Sequence, residues 1–254
     1  LGFIDTDREG MLVEGFDQLA TMYINYNYPY YPQHMERMEG FKKDNDYVEL
    51  KVKVPEKVPE KFSKITELVK SRYGLQVHKF TRHELIEEGY GKKLFDLLNA
   101  TYKDLYGFSQ LSDRQIDKLV NDYIKIADLN LVTAVMDGDK IVGFGITFPS
   151  FSRALQKTRD GRLFPFGWWH LLKILKQHKT PIVDLLLIGV SPEYRGKGAN
   201  ALIFDDLIRW FQRYNFEWAE TGPQMETNEG VLSQWQYLEA TQHRRHRCYR
   251  KIFD

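Results

Sequence analysis

Arg195, Gly196, Lys197 and Gly198 place two cations beside two residues that lack a Cβ. Such backbone bends tightly and lets an anion come close. Before them, Ile182 to Val190 is short, apolar and branched, as a strand covered on both faces is. Pro192 ends it, having no N–H for a ladder. After them, Ala201, Leu202, Phe204, Ile208 and Phe211 repeat at helical spacing. The loop therefore runs into a helix N-terminus, with its unpaired N–H groups and the positive end of the dipole. Strand, loop and helix together describe an anion site that suits a phosphate or pyrophosphate. The bland alternative is an ordinary strand-to-helix turn with two turn glycines. A Walker A loop is excluded, because its longer glycine spacing and Lys-Ser/Thr pair are missing. A dinucleotide fingerprint fails at Ala201.

The run Val190 to Gly198 resembles the acyl-CoA loop of the GNAT superfamily, the acyl-CoA-dependent N-acetyltransferases. Arg195, Gly198 and Asn200 fall on its Gln/Arg-x-x-Gly-x-Gly/Ala signature, with Asn200 departing at the last position. The resemblance implies that acetyl-CoA or another acyl-CoA is the co-substrate. It implies binding by Leu187, Ile188, Gly189 and Val190 on the strand, and by Arg195, Gly196, Lys197, Gly198, Ala199 and Asn200 in the loop. A backbone N–H at Leu187, Ile188 or Gly189 would polarise the thioester carbonyl. Glu226 and Asn228 follow the next strand, where the family often contacts the CoA arm; a helix N-cap is the equal reading of Asn228. The family's thiolate-protonating tyrosine aligns best with Trp235, which cannot donate in that way, so Tyr237 is the substitute candidate, or else only packs. Asp184 and Glu220 are candidate bases, with surface carboxylates at strand ends as the alternative; a water chain serves in many members.

His243 to Arg247 reads as two histidines and three arginines. Alternation on an edge strand accounts for it better than a nucleic-acid patch, since cations blunt edges. His243 and His246 then face opposite ways and would not share a metal, and no other histidine pair has ligand spacing; no metal is expected. Cys248 reads as core.

These residues need elements to hold them. Leu75 to Phe80 suggests a strand, Glu84 to Tyr102 and Ser112 to Ile126 helices, and Leu129 to Met136 with Lys140 to Phe148 a hairpin about Asp137-Gly-Asp139. Ser112 with Gln115 makes a capping box. Val142 to Gly145 resembles the family's third strand. Phe216 to Thr221, Asn228 to Leu238 and Thr241 to Phe253 follow as strand, helix and strand. The order implies an α/β (α+β) GNAT-like fold, a mixed, mostly antiparallel sheet flanked by helices, complete in 75–254. Pro149 to Thr180 is an insert carrying Phe164, Phe166, Trp168 and Trp169. Its tryptophans are expected to wall the acceptor side of the cleft, or else to pack inside.

Ahead of this, Arg8 to Leu19 is a candidate helix capped by Asp7, Gln33 to Met38 a second, and Tyr47 to Val54 a half-buried strand. Met35 to Phe41 resembles the closing helix and Gly-Phe of a GNAT domain. Gly2, Glu9, Gly10 and Leu12 recur at one offset as Gly222, Glu229, Gly230 and Leu232. Residues 1–54 thus look like the back half of a first GNAT-like domain in a tandem protein, truncated at its start, and 55–74 like a linker helix. The 1–54 unit is expected to pair with 75–254, or with a second copy in a homo-oligomer, to cover a sheet edge.

Lys+Arg 36 against Asp+Glu 35 gives a net charge of +1, which argues against nucleic acid. One cysteine suits a reducing cytoplasm. No apolar run reaches span length and no signal peptide is visible, so no membrane is expected; Leu1 is not a start Met, which implies a longer parent chain. The expected activity is acyl transfer from CoA to an amine of a small molecule or peptide. The alternative is a degenerate GNAT-like binding or interaction module.

Overall fold

A computed structural model describes residues 8–253. The strands are β1 (Met11–Glu14), β2 (Phe41–Lys53), β3 (Gln76–His78), β4 (Val132–Asp137), β5 (Lys140–Pro149), β6 (Ile182–Val190), β7 (Trp218–Thr221), β8 (Gln224–Met225) and β9 (Ala240–Lys251). The helices are α1 (Tyr30–Arg37), α2 (Glu60–Tyr73), α3 (Arg82–Ile86), α4 (Tyr90–Tyr102), α5 (Asp113–Ile124), α6 (Ser152–Leu155), α7 (Gly167–Gln177), α8 (Ala199–Arg213) and α9 (Glu229–Leu232). The chain divides into two units. One gathers residues up to Lys53, Ser150–Asp184 and everything from Trp218; the other gathers Val54–Pro149 and Leu185–Glu217.

In the first unit β9 pairs antiparallel with β1 on one side and β2 on the other, and β2 also pairs antiparallel with β7 and β8. Residues 45–49 of β2 are all buried, so this strand is covered on both faces rather than half-solvated. The register sets Glu49 opposite Arg244 and Tyr47 opposite His246, and slips between Glu49 and Leu50, which leaves His243 as the extra residue of a bulge.

Several sequence expectations change here. Residues 11–14 form a strand, not part of a helix, because β9 offers them a ladder; tertiary pairing overrides local helical preference. The expected cap, Asp7, lies outside the described residues. β9 is an inner strand, not an edge. The apparent repeat joins a strand start at 9–12 to the helix α9, so it does not recur as structure. Residues 41–53 find their partners in the last strands of the chain, and they share a unit with Ser150–Asp184 and the chain from Trp218 rather than forming one of their own.

In the second unit β3, β4 and β5 form an antiparallel run. Helix α2 is no loose linker. Phe62 stacks on Phe204 of α8 with ring centroids 5.6 Å apart, Ser63 Oγ donates to Asp205 Oδ1 at 3.1 Å, and Phe62 and Val69 are buried. Burying such side chains contributes roughly 1.5–3 kcal/mol each. The helix expected over 84–102 divides into α3 and α4. The capping box at α5 is present: Ser112 N and Oγ donate to Gln115 Oε1 at 2.9 and 2.7 Å.

Candidate active site

The loop after β6 has the backbone its sequence demands. Gly196 and Gly198 hold φ of 76° and 85°, a region a side chain disfavours, and Gly198 starts α8. A Cβ on Gly198 would lie 2.6 Å from Val69 and 2.8 Å from Ile65, so α2 presses directly on the loop; around Gly196 there is open space. The N–H groups of Arg195 and Lys197 donate to Pro192 and Tyr194 carbonyls, and the Arg195 guanidinium donates to Thr101 O at 3.2 Å. Lys197 Nζ lies 4.4 Å from the Tyr194 ring centroid. Asn200, which departs from the family signature, lies in the first turn of α8 as a half-buried residue.

Within β6, Leu187 and Ile188 are half-buried, Gly189 and Val190 buried. A side chain on Gly189 would meet Phe144 and the Thr101 hydroxyl. Ile188 meets Tyr102 twice: the Tyr102 hydroxyl donates to Ile188 O at 2.9 Å and accepts from Ile188 N at 3.3 Å. Of the three candidate amides, that of Ile188 already faces a phenol.

The first unit holds a buried polar cluster of its own. Asp184 and Glu220 are 2% and 6% exposed, so neither is a surface carboxylate. Burial, with the charges of Glu220 and Glu49, raises the Asp184 carboxyl to about 8 against the opposing effects of Ser150 and Arg244. Burial raises Glu220 as well, opposed by Arg244, Lys51 and Arg153. Arg244 pairs with Glu49, and His246 Nε2 lies 2.6 Å from Glu49 Oε1, off line for a hydrogen bond. Glu49, Arg244 and His246 are all fully buried. The ring of Tyr23 is half-buried and its hydroxyl lies inside; burial and Asp184 push it well above the usual phenol range. Burial and the Arg244 charge lower His243 to about 4, which keeps it neutral near pH 7. Asp184 Oδ1, Glu49 Oε1, Arg244 Nε, His243 Nε2 and both His246 nitrogens have no hydrogen-bond partner among the described residues. Buried polar atoms are seldom left so, except where a reaction or ligand uses them.

The remaining candidates divide. Tyr237 is exposed at the end of a 3₁₀ turn, and Trp235 is buried with Nε1 donating to Gln224 Oε1 at 2.9 Å. Asn228 caps α9, accepting from Val231 N at 3.2 Å, as its cap reading required. Glu226 pairs with Lys43 and, at 2.7 Å, with Arg245. Asp46 takes Arg245 at 3.1 Å and Arg247 at 2.8 Å; burial works against its charge, but these arginines and Lys43 outweigh burial and lower its pKa. The basic run is thus neutralised by its own neighbours. Burial pushes the Cys248 thiol up to about 11, far from a nucleophilic thiolate. Among the described residues no group of three His, Cys, Asp or Glu is placed to hold a metal ion. Trp168 and Trp169 form an edge-on pair, both exposed rather than packed inside.

No protein-family model matches the chain. It is 24% identical over 251 residues to the Escherichia coli protein YghO, covering 96% of this chain and 62% of that one. It is 21% identical over 266 residues to a bacterial ceramide synthase of Caulobacter vibrioides, covering 96% and 64%. The chain therefore spans less than two thirds of the length of these curated relatives. Among solved structures, a GCN5-related glucosamine N-acetyltransferase region of a fungal multi-domain GH3 β-N-acetylglucosaminidase superposes with TM-score 0.54 at 12% identity, over 87% of this chain and 22% of that one. A GCN5-related N-acetyltransferase from Sphaerobacter thermophilus does so with TM-score 0.51 at 13% identity, over 91% and 60%.

The fold is that of the GCN5-related N-acetyltransferases. It is an acyltransferase-type fold, and the Gly-rich loop after β6 is one part of it that the sequence made legible. Glu49, Arg244, His246, Tyr23 and Tyr102 were not picked out. One signal was available: with Cys248 in the core, the period of two along a strand puts His246 and Arg244 on the same buried face. No local signal distinguished Glu49, whose burial comes from strands distant in sequence.

Proposed function

We propose that the chain is an N-acyltransferase that moves an acyl group from a CoA thioester to an amine. One observation carries this reading. Asp184, buried and held near pKa 8, stands on the same strand as Leu187 to Gly189, and that strand leads into the Gly196–Gly198 loop.

The CoA pyrophosphate would rest on the N–H groups at Gly196 and from Gly198 to Asn200, with Arg195 and Lys197 nearby. The thioester would lie along Leu187 to Val190, its carbonyl taking an N–H of Leu187 or Gly189, or that of Ile188 once Tyr102 turns away. The amine nitrogen attacks the thioester carbon and forms the new C–N bond. Its surplus proton passes to Asp184 in the ionised form, which prevails only above about pH 8, with Glu220 beside it and Arg244 balancing the charge. The C–S bond then breaks, and the CoA thiolate takes a proton from Tyr237 or from water. No metal is required.

The likeness to a protein named a bacterial ceramide synthase supports N-acylation and extends the acceptor classes from small-molecule and peptide amines to lipid amines. Trp168 and Trp169 would favour an apolar group on the acceptor. A second reading, a CoA-binding or interaction module without turnover, is favoured by the buried, hydrogen-bonded Trp235 and by the Tyr102 hydroxyl on Ile188. Free thiol release from acyl-CoAs of graded chain length, with and without candidate amines, decides between them. Amine-dependent release supports the enzyme; a thermal shift with CoA but no release supports the module.

A further inference from the structure

Residues 150–180 carry an exposed apolar surface of which the acyl-transfer reading uses only the two tryptophans. Phe164 and Phe166 are 77% and 75% exposed, Trp169 51% and Leu163 48%. They are not on a loose strap. Trp168 N donates to Leu163 O at 2.9 Å, Trp169 N to Phe166 O at 3.2 Å, and Trp168 Nε1 to Pro165 O at 2.9 Å. A folded turn thus holds several large apolar side chains in solvent, as proteins do where something else covers them.

The charge around this turn says what covers it. The whole chain is nearly balanced, with Lys+Arg 36 and Asp+Glu 35, yet residues 150–180 hold seven Lys and Arg against the one acid Asp160. Lys157, Arg162, Lys176 and Lys179 are exposed and have no acidic partner within ion-pair distance among the described residues. On α7, Trp169, Lys173 and Lys176 follow at helical spacing while Ile174 is buried, and Lys173 Nζ lies 5.2 Å from the Trp169 ring centroid. Exposed aromatic side chains in a stretch rich in long, exposed cations, with Lys173 over the Trp169 ring, match a bilayer boundary. The rings enter the headgroup–acyl region and the cations reach lipid phosphates.

We infer that this face docks on an anionic phospholipid membrane. The docking is peripheral: α7 has 11 residues, ~16 Å of helix, and no helix among the described residues is long and apolar enough to cross a bilayer. This departs from the expectation of no membrane and gives Phe164 and Phe166 a task that an acceptor wall does not. It stands independently of the acyl-transfer reading.

The test is co-sedimentation of the full chain with vesicles of phosphatidylglycerol mixed into phosphatidylcholine, and with phosphatidylcholine alone. Partition should favour the anionic vesicles by roughly tenfold or more and weaken between about 0.1 M and 1 M salt. Phe164→Ser with Phe166→Ser and Trp169→Ser should lower it by roughly tenfold at an unchanged far-ultraviolet spectrum. A charge reversal, Lys157→Glu with Lys176→Glu and Lys179→Glu, alters only exposed positions and should abolish the anionic preference even where the aromatic variant folds poorly. No partition, equal partition into neutral vesicles, or full partition by the charge reversal overturns the inference. So does binding to an acidic protein without binding to vesicles.

Discussion

Asp184 is the residue on which most of the proposed chemistry turns, and its environment makes an outcome calculable. In the unfolded chain its carboxyl ionises near ~3.9, whereas in the fold it holds its proton to about 8. Between those values the folded state binds a proton that the unfolded state releases. The stability it contributes is fully present below the unfolded value and is lost as pH rises through about 8. The slope approaches about 1.4 kcal/mol per pH unit at most. Below about pH 6.5 the neutral burial of His243 acts in the opposite sense, so the clean window lies above that. Urea unfolding between about pH 6.5 and 9 should show wild-type stability falling to about pH 8 and levelling above it, with Asp184→Asn nearly flat throughout; parallel curves would refute the raised carboxyl. Tyr237 offers a separate check. If it protonates the thiolate, Tyr237→Phe lowers turnover with little change in CoA affinity, and equal turnover leaves water as the proton source. Asp184 and Glu220 were legible as residue types, but their burial was not. It is set by β2 and β9, whose partners lie far away in sequence, and no window around Asp184 records them.

At the scale of elements, α2 and the loop test each other. Gly198 sits against Ile65 and Val69, whereas Gly196 faces open space. Gly198→Val should therefore lower stability through lost packing as well as strain. Gly196→Val should instead cost only the backbone strain of its positive φ, about 1–2 kcal/mol and less than Gly198→Val, while weakening CoA binding by roughly tenfold. Thermal melts beside CoA titration separate the two; identical behaviour would mean the loop does not hold the pyrophosphate. Phe62→Ala, which empties the stack on Phe204, should cost about 3 kcal/mol if α2 belongs to this core, and near zero if it were a linker. The loop and the 137–139 hairpin could be read ahead because glycine chemistry and periodicity act locally. Residues 11–14 could not, because a strand of four residues exists only through the ladder β9 provides.

For the whole molecule, the GCN5-related fold follows from the order of strands and helices in 75–254, whereas the part played by residues 41–53 does not. Their strand pairs with β7 and β9, a destination that alternation in a single segment cannot name. The even overall charge also concealed a strong local excess in 150–180. The central claim is that a buried carboxylate on β6 takes the acceptor's proton while the following loop holds CoA. It is tested most directly by measuring CoA affinity and acyl-transfer turnover of Asp184→Asn side by side. The account predicts CoA affinity within about twofold of wild type and turnover lower by roughly 10²–10⁴. Turnover equal to wild type, or loss of CoA binding in step with turnover, would contradict it.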